Sequence, residues 1–157
     1  MRLPFTKMHG AGNDYIYVDA FAYDLKDPAE FALHMSDRHK GIGSDGLVLI
    51  GPSKTCDVRM RMFNADGSEG RMCGNASRCV GKYAYEHGIC RKESMTMETL
   101  AGVKVLHLTT ENDVVTSVTV DMGQPLLHPA DIPMAVQGDS FIDGENECAG
   151  RTWRGTA

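Results

Sequence analysis

Short segments with a two-residue alternation of apolar and polar residues dominate most of this chain. Val58, Met60 and Met62 alternate with Arg59 and Arg61, which predicts a half-buried strand with one face in water. Further strands are predicted, from apolar and β-branched content and flanking turn residues, at 15–18, 47–50, 103–109 and 114–122. The last two form a predicted hairpin around residues 111–113.

A first helix is predicted where Asp27 precedes Pro28. Asp27 is a preferred N-cap residue, Pro28 suits the first helical position, and Glu30 stands where a capping box needs a carboxylate. We expect this helix to continue past Met35 and to stop near Lys40–Gly41.

A second helix is predicted from about Asn75 to His87, with Gly88 as the residue that ends it. Apolar residues recur along one side of this segment, and Asn75 is a suitable cap. Because strands outnumber helices, the pattern as a whole predicts an α+β fold.

The last quarter of the chain loses this regularity. Prolines at 125, 129 and 133 precede a tract rich in Gly, Asp and Glu at 137–150, and a further strand is expected at 151–154. We therefore expect one complete domain at 1–117, with its central helix starting after Cys73, and the truncated beginning of a second domain at 118–157.

Composition excludes several classes of function. The 157 residues carry a net charge of −5 with no basic run, which argues against nucleic-acid binding and against attraction to anionic lipid. The longest apolar run is strand-sized, and residues 1–10 lack the apolar core of a signal peptide. The five cysteines are odd in number and show no disulfide-framework spacing. These features predict a cytoplasmic protein with reduced thiols.

Cys73 is the strongest candidate for chemistry. It follows a glycine-rich turn and stands at the predicted start of the second helix, where unpaired backbone N–H groups and the helix dipole favour a thiolate. The same N–H groups can hold a carboxylate, and Gly74 lets a ligand approach the backbone. Asn13 and Asn64, on predicted loops, are candidates for orienting a zwitterion. This combination suits proton removal from the α-carbon of an amino acid.

Other interpretations of Cys73 remain open at this point. A free cysteine is often only a small buried apolar residue, which is also the role expected for Cys79. A zinc site built from Cys73, Cys79, His87 and Cys90 matches no usual ligand spacing, so no metal is predicted. The glycine-rich segment at 41–46 fits neither a phosphate-binding loop nor a dinucleotide fingerprint.

Four motifs, in order, resemble those of the diaminopimelate epimerase family. The longest is Asn64-x-Asp-Gly-Ser-x-x-x-x-Cys73-Gly-Asn-Ala-x-Arg78. The others are Lys7-Met-His-Gly-x-Gly12-Asn13-Asp14, Asp37-Arg-His-x-Gly41-Ile-Gly43-x-Asp45-Gly46 and Val120-Asp-Met-Gly-x-Pro125. The resemblance covers almost the whole chain.

The resemblance implies a curved, mostly antiparallel or mixed sheet wrapped around a central helix. It implies a reaction without cofactor, the inversion of LL-diaminopimelate to the meso form, in which one cysteine removes the α-proton and another returns a proton. Cys73 matches the first cysteine, Gly74 and Asn75 match positions that hold the α-carboxylate, and Asn13 and Asn64 match substrate-binding asparagines. Gly46 stands where some relatives carry a glutamine that contacts substrate, so that contact is not expected here.

The resemblance also implies that the second catalytic cysteine belongs to a second half that this sequence does not contain. Cys148 lies in a polar tract and is not expected to replace it. We therefore expect the chain alone to be inactive and to self-associate, as a homodimer for example, through an exposed cleft face or sheet edge. Two alternatives remain: a same-fold isomerase acting on proline, hydroxyproline or an aromatic precursor, and a non-catalytic thiol or zinc module.

Overall fold

The strands and helices form two compact units along the chain. The structure is a computed structural model that describes residues 2–132, 134–136 and 138–156. The predicted tail proline at 133 and the chain's last residue, Ala157, lie outside the described residues. The first unit is Met1–Met122 and the second Gly123–Ala157, so the division lies after Met122 rather than after residue 117.

Among the residues that the structure describes, the first unit contains two helices and eight strands. The helices are α1 (Pro28–Met35) and α2 (Gly74–Glu86). The strands are β1 (Thr6–Gly10), β2 (Asn13–Asp19), β3 (Gly46–Gly51), β4 (Val58–Asn64), β5 (Glu69–Gly70), β6 (Ser94–Thr99), β7 (Gly102–Glu111) and β8 (Val114–Val120). The strands β1, β5 and β6 were not predicted, because none carries a long apolar alternation of its own.

These eight strands form one mixed sheet. Seven of them follow the order β1-β2-β3-β4-β6-β7-β8, and the short β5 pairs with β4. The pairs β2–β3 and β4–β6 are parallel, and the other pairs are antiparallel. The prediction of an α+β fold with a mostly antiparallel, mixed sheet is confirmed.

The sheet carries one apolar cluster on each face. On β3, Val48 and Ile50 belong to the larger cluster, which packs around α2, whereas Leu47 and Leu49 belong to the smaller cluster with α1. All six residues of β3 are buried, as expected for a strand covered on both sides. The helix α2 is therefore the central helix of the larger core.

The helix α1 begins as predicted and ends earlier. Asp27 accepts a hydrogen bond from the Glu30 backbone N–H at 3.1 Å, which confirms the cap. The helix ends at Met35, not near Lys40–Gly41, because the Met35 carbonyl accepts from the N–H groups of Ile42 and Gly43. The returning loop thus satisfies the helix end.

The helix α2 runs close to its predicted bounds, but its cap is different. Cys73 is the N-cap residue, with its thiol sulfur accepting from the Ala76 N–H at 3.5 Å. Asn75, predicted as a cap, lies inside the first turn. At the other end, Gly88 has a φ of +73°, the left-handed conformation that favours glycine after a helix.

The predicted hairpin is confirmed in β7 and β8. Its turn residues Asn112 and Asp113 have φ values of 52° and 63°, as a two-residue type I′ turn requires. Lys82 and Glu86 tie α2 to this hairpin: the Glu86 carboxylate accepts from the Val115 N–H at 3.0 Å, and Lys82 donates to the Val115 carbonyl at 2.9 Å.

In its described residues, the second unit contains the antiparallel strands β9 (Gly144–Cys148) and β10 (Arg151–Gly155) and one short 3-10 helix (Pro129–Asp131). The expected strand at 151–154 is therefore present, whereas β9 was not predicted. Among the described residues of the whole chain, no helix is long and apolar enough to cross a membrane.

Candidate active site

The topology brings the ends of three strands together at one edge of the sheet, here meaning the rim at which strands begin or end. The parallel strands β2 and β3 begin there with Asn13 and Gly46, and the antiparallel β4 ends there with Asn64, which pairs with Gly46. Two predicted site residues, Asn13 and Asn64, therefore lie at this edge although they are far apart in sequence.

Cys73 lies beside Asn13. Its backbone is extended, with φ −138° and ψ 117°, and its side chain is half-buried. The thiol donates to the Asn13 Oδ1 at 3.3 Å and accepts from the Ala76 N–H at 3.5 Å. The sulfur thus stands at the N-terminus of α2, as the sequence predicted.

Gly74 and Asn75 form the start of α2. As the first helical residues they have no intrahelical acceptor for their N–H groups. The Asn75 side chain does not cap the helix but accepts from the Arg78 guanidinium at 2.6 Å. A Cβ added at Gly10 on β1 would lie 2.8 Å from the Asn75 carbonyl oxygen, so this strand packs directly on the first turn.

Gly74 lies close to Met122, the last residue of the first unit. A Cβ added at Gly74 would lie 3.3 Å from the Met122 sulfur, although Met122 is itself 55% exposed. The backbone at the helix start is thus approached by one flexible side chain, which can move aside for a ligand.

Asn64 belongs to a tight turn after β4. Its Nδ2 donates to the Ser68 hydroxyl at 2.9 Å, and its backbone N–H donates to the Ser68 carbonyl at 2.8 Å. Asp66 in turn accepts from the Ser68 N–H and hydroxyl, which lowers the pKa of its carboxyl group. Asn64 therefore lies at the same sheet edge as Asn13, fixed by its own turn.

An ion-pair network holds the start of β2. Arg38 donates to Asp14 at 2.6 Å and to Asp45 at 3.0 Å, and Lys7 lies 3.0 Å from Asp14. The hydrogen bond from Arg38 is the main reason that the pKa of Asp14 falls to about 2. Asp45 also accepts from the Asn13 Nδ2 at 2.8 Å. Sequence reasoning gave none of these charged residues a role, although they lie within the quoted motifs.

Tyr15 and Tyr17 of β2 face Cys73 and Cys79. Burial, with a further contribution from Cys73, raises the pKa of Tyr15 to about 12. Burial also raises the pKa of Tyr17, and its hydroxyl lies against Cys79. Among the described residues this hydroxyl has no partner with hydrogen-bond geometry. Both phenols are therefore neutral around pH 7.

The residues of the zinc alternative do not come together. Cys79 and Cys90 are buried in the larger apolar cluster, and His87 stacks on Tyr83 at the C-terminal end of α2. Cys73 is at the other end of this 13-residue helix, about 20 Å away at 1.5 Å per residue. Within the described part of the chain, no group of three or more His, Cys, Asp or Glu residues is placed to hold a metal ion.

The first unit also has an apolar cavity elsewhere. A cavity of about 660 Å³ lies between residues 22–27 and α1, and it includes none of the predicted site residues. Cys73, Gly74 and Asn75 are instead half-buried residues at the sheet edge.

Two solved structures with this fold are an isomerase and an epimerase. A methylitaconate-delta-isomerase matches 99% of this chain and 40% of its own, with a TM-score of 0.61 at 16% identity. A hydroxyproline epimerase from Agrobacterium vitis matches 74% of this chain and 40% of its own, with a TM-score of 0.56 at 18% identity. At such identities the likeness shows the fold alone, which this chain shares with these two proteins.

The particular family follows from the sequence comparison. The family described as diaminopimelate epimerase matches residues 5–127, and the chain belongs to this family. A diaminopimelate epimerase of Desulfovibrio desulfuricans is 62% identical over 135 residues, which cover 86% of this chain and 47% of the relative. One from Acetivibrio thermocellus is 53% identical over 152 residues, which cover 97% and 54%. The chain thus spans about half the length of these curated relatives.

Proposed function

We propose that this chain supplies one face of a cofactor-independent epimerase that converts LL-diaminopimelate to its meso form, a step towards lysine and peptidoglycan precursors. The observation that carries the proposal is the half-buried Cys73 thiol at the N-terminus of α2, 3.5 Å from the Ala76 N–H. Membership of the diaminopimelate epimerase family supports the choice of substrate.

In the proposed reaction, Cys73 exchanges a proton with the α-carbon of the substrate. The α-carboxylate binds the N–H groups of Gly74 and Asn75, which have no acceptor within the helix. As the proton leaves, negative charge develops towards this carboxylate, and the helix N-terminus stabilises it. This electrostatic contribution is needed because an α-carbon is a far weaker acid than a thiol.

Inversion needs a second proton carrier on the opposite face of the α-carbon, and we propose that it is a second cysteine. Cys148 is an exposed residue that ends β9 in the second unit, and we do not assign this role to it. Asn13 and Asn64, both at the sheet edge of the Cys73 site, are proposed to contact the remainder of the substrate.

A chimeric enzyme tests the proposal. This chain replaces the matching residues of the Desulfovibrio desulfuricans relative, and conversion of LL- to meso-diaminopimelate is followed by chiral chromatography. We expect conversion by the chimera and a loss of about a thousandfold in Cys73→Ala, the usual scale for removing a general acid or base. Cys73→Ser, which keeps a cap for α2, should lose nearly as much.

The outcomes separate the proposal from its alternatives. A well-folded chimera that converts LL-diaminopimelate equally well with Ala at position 73 contradicts the role of Cys73. Turnover of trans-4-hydroxy-L-proline or L-proline in preference to diaminopimelate favours a same-fold isomerase with another substrate.

The chain alone is expected to be inactive. A two-base inversion needs a proton carrier on each face of the α-carbon, and we assign this chain only one. The measurement is formation of meso-diaminopimelate by the purified 157-residue chain, with Cys73→Ala as the background. Conversion above this background would contradict the prediction.

A further inference from the structure

The side-chain amide of Asn13 lies between a carboxylate and the Cys73 thiol. Its Nδ2 donates to the Asp45 Oδ2 at 2.8 Å, and its Oδ1 lies 3.3 Å from the Cys73 sulfur. A carboxylate only accepts hydrogen bonds, so the NH2 group of Asn13 must face Asp45. This leaves the carbonyl oxygen facing the sulfur.

Asp45 is itself held firmly in this position. Its Oδ1 accepts from the Arg38 guanidinium at 3.0 Å, and its Oδ2 accepts from the Asp14 N–H at 3.1 Å. The backbone N–H of Asp45 donates to the Asp14 carbonyl at 2.7 Å. Both oxygens and the backbone are thus anchored, and the direction in which the Asn13 amide points is fixed.

The orientation of this amide acts on the protonation of Cys73. A thiol can donate its proton to the Asn13 oxygen, whereas a thiolate would face a lone pair there. The Ala76 N–H at 3.5 Å acts in the opposite direction, because it stabilises a charged sulfur. If the Asn13 amide were turned round, both contacts would favour the thiolate.

We infer that Asp45 is a positioning residue that acts through Asn13 to hold the proton on Cys73. The inference deepens the proposed function, on which it rests for its part in catalysis. A two-thiol inversion alternates between two forms, each with one thiol protonated and the other ionised, and Asp45 favours the form in which Cys73 is protonated and can donate its proton to the α-carbon. For Cys73 to remove the α-proton it must first lose its own proton to solvent, and its contact with the Asn13 oxygen opens at that point.

Other ionisable groups lie around this pair, among them Arg78, which bonds the Asn75 side chain at the start of α2. The phenols of Tyr15 and Tyr17 face Cys73 from β2, and their raised pKa values keep both neutral. The groups behind Asp45, in the ion-pair network, are Asp14, Arg38 and Lys7. The charge nearest to Asn13 is therefore the carboxylate of Asp45.

The test measures the rate at which iodoacetamide alkylates Cys73 in the full 157-residue chain as a function of pH, with the modified peptide quantified by mass spectrometry. Iodoacetamide reacts with the thiolate. In Asp45→Ala the Asn13 NH2 group is free to turn to the sulfur. We expect the midpoint of the profile to move to lower pH, and the rate below it to rise about fivefold.

A double-mutant cycle distinguishes positioning from a general structural effect. Asn13→Ala should lower the midpoint by itself, and Asp45→Ala added to it should have no further effect. Asp37→Ala is the matched control: Asp37 holds the same loop through the N–H groups of His39 and Lys40, and its loss should leave the Cys73 profile unchanged.

The inference is overturned if Asp45→Ala leaves the pH profile of Cys73 alkylation unchanged. It is also overturned if Asp45→Ala shifts the profile equally in the parent chain and in Asn13→Ala. The buried Cys79 and Cys90 report on folding, since their alkylation in Asp45→Ala would mark a disrupted core. In that event the Asn13→Ala variant alone tests the inference. A midpoint of its alkylation profile that stays unchanged or moves to higher pH overturns the inference. No substrate takes part, so failure here leaves the chimera assay untouched, and failure of that assay leaves this result standing.

Discussion

A sulfur atom caps α2 at a position where a hydroxyl, carboxylate or carboxamide is usual. The sequence predicts Asn75 as the cap because asparagine is a preferred cap residue, whereas in the structure Asn75 accepts from Arg78. A thiol is the weaker hydrogen-bonding group. Its presence at Cys73 is a local departure from helix chemistry of the kind expected where a residue is retained for function.

The charged residues behind Asn13 make a contribution to stability that depends on pH. The pKa of Asp14 lies near 2 in the folded chain, below its ordinary value of 3.8. A lowered folded-state pKa means that the stabilisation is complete above about pH 4 and is lost as the pH falls towards 2. We expect Asp14→Asn to be less stable than the parent chain at pH 6, and this difference to shrink at pH 3.

Urea unfolding at the two pH values, followed by circular dichroism, measures this difference. Arg38→Gln removes the main cause of the lowered pKa, so in that background Asp14→Asn should show a much weaker pH dependence. An equal gap between Asp14→Asn and its parent at pH 6 and pH 3 would contradict the assignment.

The loop between α1 and β3 is the element on which the site depends most. It ends α1 at Met35 by donating two backbone N–H groups to one carbonyl, and it delivers Asp45 to Asn13. The sequence predicts that the helix continues into this loop, because no proline or isolated glycine marks Met35 as an end. The early stop is a tertiary effect, since the Met35 carbonyl at the helix end accepts hydrogen bonds from Ile42 and Gly43 of the returning loop.

Gly41 is the residue that this loop cannot replace. A Cβ there would lie 2.6 Å from the carbonyl oxygens of both His34 and Met35, which are backbone atoms of α1. We expect Gly41→Ala to lower the free energy of unfolding by about 2–3 kcal/mol through overpacking. Chemical denaturation of the purified variant measures this loss.

Gly88→Ala is the control for Gly41→Ala. Gly88 has a φ of +73° with nothing within 4 Å of the added Cβ, so only the left-handed conformation opposes alanine. Its expected cost is about 1 kcal/mol. If Gly41→Ala lowers the free energy of unfolding no more than Gly88→Ala does, then close packing of the loop on α1 does not constrain position 41.

At the scale of the whole molecule, the sheet of the first unit has two ends. Its order runs from β1 to β8, and β8 pairs with β7 on one side among the described strands. Val114 at the start of β8 is 51% exposed, and Thr116, Ser117 and Thr119 are exposed as well. Apart from Val115, whose N–H and carbonyl are bonded by Glu86 and Lys82, an edge of this kind offers its backbone groups to a second copy of the chain.

We therefore expect the chain to self-associate with increasing concentration, and Ser117→Lys to weaken this association, since an edge lysine opposes strand pairing. Sedimentation velocity over a concentration series, with reducing agent to keep the exposed Cys148 from forming disulfides, measures it. Thr55→Lys, in an exposed loop, adds the same charge and should have little effect. A monomer at all concentrations, or equal effects of both lysines, contradicts the prediction.

The amino-acid sequence by itself determined the α+β class, the helix α2 and its C-terminal glycine, the hairpin β7–β8 and the position of Cys73 at a helix start. These features are local: periodicity, turn residues and caps act over a few residues. The motifs also led to the family, because long ordered patterns carry information that no single element contains.

Only the tertiary structure decided which residues surround the thiol. Asn13 and Asp45 are 32 residues apart and Asn13 and Cys73 are 60 apart, and they meet because parallel pairing of β2 and β3 brings both strand starts to the N-terminus of α2. Hydrogen bonds from Ile42 and Gly43 to the Met35 carbonyl ended α1 early, and the Asn75 side chain bonds Arg78 while the Cys73 sulfur caps α2. Sequence patterns report the conformation that a segment prefers, whereas hydrogen bonds between distant segments are set by how the sheet and helices pack together.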